Sequence, residues 1–498
     1  MGATEQPPGG ANLERATIPR RTATDPVSQH APLLGDDQGV EQHEVVVVGA
    51  GLAGLACAGA LQRAGRQVVV LEASDGVGGR VRTDFVDGYQ LDRGFQALPV
   101  AYPAARALLD LRRLELQPLF SGALVRLRGR FWRLGDPRRE PRALLDSLRA
   151  PVGSPLDTLA ALRWALTLAR APLDELLRRP ERSARAELAA VGLSDRAVEH
   201  LWGPFFANVL LDPALETSSR LLTLAAASFV RGGSAIPARG MGAIAEQLAS
   251  TLAPRTVRLG QRVVAVEGRA VRLGEGIELA GSAVVVATDG AAAATLLPGA
   301  LDTPASGVST PPSRLDAPAS GLGPPPSRPG PPPSREVTCA YFSAPASAIP
   351  VSEPAILLDG DGDGPASLVF APTNLNPFAA PAGRALLSAT VVGPTGPAGA
   401  DDDVLARAIV AQLRRWWGAR ADELVHLRTY RIPHALPAQL PGSLEPLERP
   451  VALGEGRFVC GDHRDTASIQ GALASGLRAA SAVAAATSAE PAPARGAR

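Results

Sequence analysis

Apolar residues follow two periodicities along this chain, and glycine or proline marks most changes between them. Val45–Val48 is an unbroken β-branched run, which predicts a strand buried on both faces of a parallel sheet. GAGLAG interrupts it. The small and apolar residues that follow, through Ala58 and Leu61 to Gly65, predict a helix, and QVVVLE predicts a second buried strand ending at Glu72. Residues 99–235 carry Leu, Ala and Arg at helical spacing with proline punctuation and read as helices. Within 236–300 a helix precedes three short strands (RTVRLG, RVVAVEG, AVRLG), then AVVVATDG leads into another helix. Residues 337–450 read as strands, among them LLSATVVG and LVHLRTYRI, with one helix around DDDVLARAIVAQLRRWW. The segment 451–487 ends as strand, turn and a long Ala-rich helix.

Three stretches carry neither period. Residues 1–42 and 488–498 are polar or rich in Pro, Gly and Ala, and are expected to be disordered tails. Residues 301–336 contain DTPASGVSTPPSRL followed by its near-duplicate DAPASGLGPPPSRP. This predicts an extended, polyproline-like insertion rather than a domain.

Composition narrows the function classes. Of 498 residues, 46% are hydrophobic, enough for a sizeable core. The 50 cationic and 49 anionic side chains nearly cancel, which argues against a dedicated nucleic-acid binder. Every one of those cations is arginine, so Schiff-base, P-loop and catalytic-lysine mechanisms are excluded. Cys57, Cys339 and Cys460 lie far apart, with neither a disulfide framework nor metal spacing, and a reducing cytoplasm is the expected compartment. Asp359, Asp361, Asp363 and Gly364 open like an EF-hand loop, but Phe370 stands where the bidentate Glu belongs, so a turn is expected. His463 and Asp465 lack a third ligand, and no metal is expected. No apolar run approaches the roughly 18 residues of a transmembrane helix. The N-terminal arginine pair has no apolar stretch behind it, so neither a secretory nor a twin-arginine signal is expected.

The chemistry begins at Gly49, Gly51 and Gly54, which fit G-x-G-x-x-G between a strand and a helix. The first glycine allows the tight turn, the second lets backbone approach a pyrophosphate, and the third allows close helix–strand packing. Leu52 and Ala53 open the helix at that turn. Glu72, followed by Ala73, closes the second strand 23 residues after Gly49, where a carboxylate can accept from adenosine ribose hydroxyls and would repel a 2′-phosphate. The order of strand, turn, helix, strand and acid predicts dinucleotide binding without separating NAD from FAD. Gly78-Gly79-Arg80 comes next, with glycines that permit close approach and an arginine able to neutralise phosphate. Near the other end, RFVCGDHRDTASIQGALASGLRAA reads as a short strand, Gly461-Asp462, a turn and a helix. The N–H groups at the start of that helix, around Ser468, Ile469 and Gln470, would face an anion.

These blocks, with Asp92-Arg93-Gly94 between them, resemble the flavin-containing amine oxidase superfamily, which includes phytoene desaturases and protoporphyrinogen oxidases. The similarity runs from about 43 to 487 apart from the proline-rich insertion. It implies non-covalently held FAD, with Val263 backbone near adenine, Asp462 accepting from a ribitol hydroxyl, and the C-terminal helix aimed at the flavin N1–C2=O edge. It also implies an α/β fold: a Rossmann-like FAD-binding domain of the glutathione-reductase type built from 43–98, 236–300 and 451–487. A discontinuous α+β substrate domain would come from the helical region 99–235 and the sheet-plus-helix region 337–450.

The substrate side is read from what is present and what is missing. Many relatives of the amine-oxidising kind hold a water with a lysine, which this chain lacks, and no aromatic residue follows Phe458 to complete an aromatic cage. The apolar stretches in 99–235 suit a tunnel for an isoprenoid-, carotenoid- or tetrapyrrole-like substrate. The expected activity is therefore hydride transfer from a C–H bond of a small apolar substrate to flavin N5, with oxygen or another acceptor reoxidising the flavin. The alternatives are amine oxidation at a C–N bond and redox-neutral FAD-dependent isomerisation. His434, beside a proline on the last substrate-domain strand, is the candidate proton donor or acceptor, and Asn208 is a candidate polar contact. Leu156, Leu159, Trp164 and Leu168, with Arg163 and Arg170, could also form a membrane-surface helix, so peripheral membrane contact is a further expectation.

Overall fold

In the parallel core, β1 (Glu41–Val48) lies between β2 (Val68–Leu71) and the strand Glu278–Val286, and Val45 faces Val68 on one side and Ala283 on the other. The valine run is buried because both of its ladder edges are paired and both faces are covered. This computed structural model describes residues 40–136, 138–140, 143–301, 333–395 and 401–489. The expected tails and the proline-rich insertion fall almost wholly outside the described residues.

Among the described residues the nucleotide-side sheet has eight strands. Val257–Arg258 flanks β2, while Ala270–Leu273 and Val263–Glu267 continue beyond Glu278–Val286. Arg457–Val459 then joins Val284–Val286 in parallel. Segments almost 400 residues apart in sequence thus end at the same edge of one sheet. α1 (Leu52–Arg63) packs against the C-terminal helix Ile469–Ala489 so closely that a Cβ on Gly476 would sit 2.3 Å from the Ala53 carbonyl oxygen. Cys57, Cys339 and Cys460 are all buried.

The second large sheet has seven described strands, ordered Val425–Pro437, Ser334–Pro345, Arg384–Val392, Leu368–Phe370, Ile356–Asp359, Gly122–Leu127 and Arg130–Gly135. The last two were not expected, since 99–235 reads as helical. They form a hairpin whose two-residue turn, Arg128-Gly129, has positive φ at both positions (54° and 75°). This is the geometry that matches the twist of paired strands. The β-branched and aromatic content of GALVRL and RFWRLG carries the signal, and the Leu/Arg spacing around it masks it. Leu116–Pro118 was not expected either: it pairs antiparallel with Ser234–Pro237, which also pairs Leu98–Pro99, in a small sheet of three described strands, and most of the remaining elements of the region are helices. Pro155–Arg170, Gly203–Leu210 and Ser219–Gly232 share a core around Trp164, Leu168, Phe206 and Leu222. No helix among the described residues is long and apolar enough to cross a membrane.

Candidate functional site

The three glycines of the first turn do different physical work. Gly49 has φ +105°, in the region that favours glycine, and its N–H donates to Leu71 O at 2.8 Å. A Cβ on Gly54 would lie 2.0 Å from Gly49 O, so this glycine lets helix and strand touch. A Cβ on Gly51 would meet nothing within 4 Å, so what this glycine keeps clear is open space. α1 starts at that space with no side-chain cap and no acidic residue in its first turn, which leaves N–H donors and the positive dipole end free for an anion. Gly78 N donates to Ala50 O at 2.9 Å, fastening the second glycine pair beside the first.

Glu72, the expected ribose acid, has partners within the protein. Its Oε2 accepts from Ala50 N at 2.8 Å, and its Oε1 accepts from Ser74 N and Ser74 Oγ at 2.9 and 2.8 Å. The carboxylate shapes the glycine turn, and Oε2, with one donor, keeps a second lone pair for a ligand hydroxyl. Arg80 reaches across 382 positions of sequence. Its Nη1 and Nη2 donate to Asp462 Oδ2 and Oδ1 at 2.8 and 2.7 Å, and Nη1 also donates to Ala435 O at 2.8 Å. Burial opposes the charge on Arg80, but the Asp462 carboxylate raises its pKa on balance. The residues expected to meet a phosphate and a ribitol hydroxyl therefore meet each other, both at the wall of one cavity. Ser468 caps the C-terminal helix, its Oγ accepting from Gly471 N at 3.0 Å.

That cavity, of about 1470 Å³, brings the two ends together. Of the expected cofactor residues, Gly49, Gly51, Leu52, Ala53, Glu72, Ala73, Gly79, Arg80, Val263, Gly461, Asp462, Ser468 and Ile469 line it. Gly54 supports it from beneath. Gln470 turns away: its side-chain oxygen accepts from Ala104 N at 2.8 Å. His434 also lies outside the lining. Its exposed ring is hydrogen-bonded through Nδ1 to Ser334 Oγ at 2.7 Å, while neighbours Ile432, Pro433 and Ala435 face the cavity. Asn208 lines the cavity and accepts from Ser367 Oγ at 2.8 Å.

Away from the glycines the wall is aromatic and aliphatic. Trp202 stacks near-parallel on Phe206 (16° between planes, 6.1 Å between centroids), Trp164 meets Trp202 edge-on, and Phe205 bridges Phe206 and Phe229. Phe95 and Phe120, far from this helical region in sequence, join the same lining. The volume exceeds the roughly 300–1,000 Å³ of an ordinary small-ligand pocket, leaving room for a dinucleotide and a second molecule.

Two titratable groups, half-buried Asp92 and buried His463, have their pKa moved by desolvation. Asp92 accepts from Thr83 Oγ1 at 2.5 Å and from Met241 N at 2.9 Å, and burial pushes its carboxyl up to about 6 despite both bonds. His463 follows Asp462, and neither ring nitrogen has a hydrogen-bond partner. Burial pushes its pKa down to about 4, which keeps the imidazole neutral near neutral pH.

The residues present fit FAD. Open space lies over Gly51 beside free helix N–H groups, Glu72 retains acceptor capacity, and one cavity joins the two segments expected to hold the cofactor. Comparison with known proteins agrees. The model of a family described as flavin containing amine oxidoreductase matches residues 52–484. Putrescine oxidase of Kocuria rosea is 48% identical over 82 residues, covering 16% of this chain and 17% of that protein. An L-amino-acid oxidase of Sistrurus catenatus edwardsii is 45% identical over 76 residues, 15% of each. The chain thus spans only 15–17% of the length of these curated relatives. An oxidoreductase from Methanosarcina mazei shares the fold at a TM-score of 0.64 and 17% identity, covering 87% of this chain and 99% of that one.

Proposed function

The chain belongs to the flavin-containing amine oxidoreductase family, and from that premise we propose that it is an FAD-dependent oxidoreductase that oxidises a C–H bond of an elongated apolar substrate held against the Trp202–Phe206 panel. One observation carries the choice: among the described residues the cavity offers a substrate a broad apolar wall and no carboxylate without a partner in the protein. The acidic residues lining it are Glu72, Asp136, Asp157, Asp289 and Asp462. Asp136 is paired with Arg138, Asp462 with Arg80, and Asp157 and Asp289 accept from helix-start N–H groups. Glu72 holds the glycine turn. A cationic amine would lose hydration here without gaining a free counter-charge, whereas an apolar chain gains by leaving water.

FAD, when bound, supplies the two-electron acceptor. The protein's part is to bind, orient and exclude water. Gly51 and the start of α1 would receive the pyrophosphate, Glu72 the adenosine ribose, and the start of the C-terminal helix the flavin end. The Arg80–Asp462 pair ties these segments together across the cavity. The stacked aromatic residues form a rigid, dry wall that fixes the substrate's orientation.

The test is an anaerobic screen of the FAD-loaded enzyme. An isoprenoid or polyene pool should bleach the flavin, with no comparable bleaching by diamines or amino acids. Rapid bleaching by amines alone would overturn the reading. Turnover of the apolar substrate without stoichiometric consumption of any acceptor would replace net oxidation with isomerisation.

A further inference from the structure

The helical stretch that carries much of the aromatic wall changes its winding part-way. Asp195–Ala197 runs into a π turn, Val198–Trp202, and then into Gly203–Leu210. Pro204 accounts for the change: it has no N–H to donate, and its ring needs room against the preceding turn. Gly203 N donates to Val198 O, and a Cβ on Gly203 would lie 2.5 Å from that oxygen. The extra residue turns the side chains that follow by roughly 100°. In that register Phe205, Phe206, Asn208 and Val209 line the cavity.

Asn208 is the polar member of this face, and its amide is held from two sides. Nδ2 donates to Pro204 O at 2.9 Å, within its own helix. Oδ1 accepts from Ser367 Oγ at 2.8 Å, beside the strand Leu368–Phe370 of the second large sheet. Ser367 is fixed in turn, because its N–H donates to Thr390 O at 2.9 Å and its Oγ lies 3.2 Å from the same oxygen. An amide has two N–H groups and two carbonyl lone pairs. These contacts use one of each. A donor and an acceptor remain on a wall whose other members from this helix are apolar. When an apolar molecule displaces water from the chamber, both groups lose their partners unless that molecule carries an oxygen.

We propose that Asn208 is a specificity-determining residue that takes a neutral oxygen of the substrate, a hydroxyl or carbonyl group on an otherwise apolar molecule, with Ser367 as its positioning residue. The inference rests on the apolar-substrate reading above and narrows it. A hydroxyl can use either free group of the amide, whereas a carbonyl can use only the N–H, so an alcohol is the better match. None of the lining residues on Gly203–Leu210 is charged, so this helix gives a charged end group nothing to replace its hydration.

The test follows binding without turnover. Trp164 and Trp202 line the cavity, so a conjugated polyene that enters it quenches tryptophan fluorescence. FAD-loaded full-length protein is titrated with a conjugated isoprenoid alcohol and with the same polyene carrying hydrogen in place of the hydroxyl. The alcohol should bind about five-fold more tightly. Asn208→Leu should bring the ratio of the two dissociation constants to about one. Ser367→Ala, which leaves the amide present but unclamped, should lower the ratio about two-fold.

Equal binding of the two polyenes by the wild type, or a preference that survives Asn208→Leu, would overturn the inference. If Asn208→Leu does not fold, Ser367→Ala decides, and an undiminished preference in that variant would overturn it. A preference lost in Asn208→Leu while the alcohol leaves the flavin oxidised would uphold the subsite and overturn only the proposed oxidation. Bleaching of the flavin by both polyenes with equal binding would uphold the oxidation and overturn the subsite.

Discussion

The turn at 49–54 and the aromatic wall at 164–229 border the same cavity but are built by different means. The turn is made of backbone: glycines that remove Cβ atoms, a helix start, and one carboxylate holding loop N–H groups. The wall is made of large side chains from several helices, packed edge-on and stacked. The backbone site tolerates almost no change at Gly49 and Gly54, where the atoms in the way are fixed. A side-chain wall can lose one member and keep its fold, so its effects are graded. Cofactor retention and substrate choice should therefore separate under mutation.

The largest effect should come from Gly54→Val, which drives a Cβ into Gly49 O. We expect a loss of more than about 3 kcal/mol of stability and no retained flavin. Gly51→Val sharpens the contrast, because its Cβ enters open space. Thermal unfolding of the FAD-free protein should barely change while FAD affinity falls about ten-fold or more. Equal destabilisation by both would mean that the two glycines serve packing alike.

Next come two titratable groups outside the cavity lining, half-buried Asp92 and buried His463. The native carboxyl of Asp92 titrates near 6, above its unfolded value, so the folded state holds the proton more tightly. Its destabilisation is absent at low pH, grows as pH rises from about 4 to about 6, and is complete above that. Asp92→Asn should flatten this slope and recover up to about 2–3 kcal/mol at neutral pH. His463 has the opposite sense. Its depressed native value makes acid destabilising as pH falls from about 6.5 toward about 4. Denaturant melts across this range resolve the two, and an unchanged slope in Asp92→Asn would break the assignment.

The smallest effect belongs to the wall. Trp202→Ala removes one stacked ring. kcat/KM for an apolar substrate should fall about ten-fold while flavin content and unfolding temperature change little. Loss of flavin in this variant would dissolve the distinction between the two regions.

Much of the nucleotide side was legible from sequence because its rules are local. The valine run, the glycine spacing and the acid at 72 lie within one βαβ stretch, where backbone geometry limits which residues fit. Harder to see was the Arg128-Gly129 hairpin, a β signal inside a helix-rich composition. His434 illustrates a different difficulty. Sequence placed it on a strand bordering the cavity, and that strand does border it, but the ring turns outward to Ser334.

By itself, then, the sequence determined the elements of the dinucleotide fold and the absence of lysine chemistry, because these depend on short-range backbone constraints and on which atoms exist. Only the tertiary structure decided that Arg80 and Asp462 clasp each other, that Gln470 braces a neighbouring helix, and that Phe95 and Phe120 share a chamber with Trp202. Those contacts join residues far apart in the chain, and their partners are selected by the direction each side chain takes once the sheets and helices have packed.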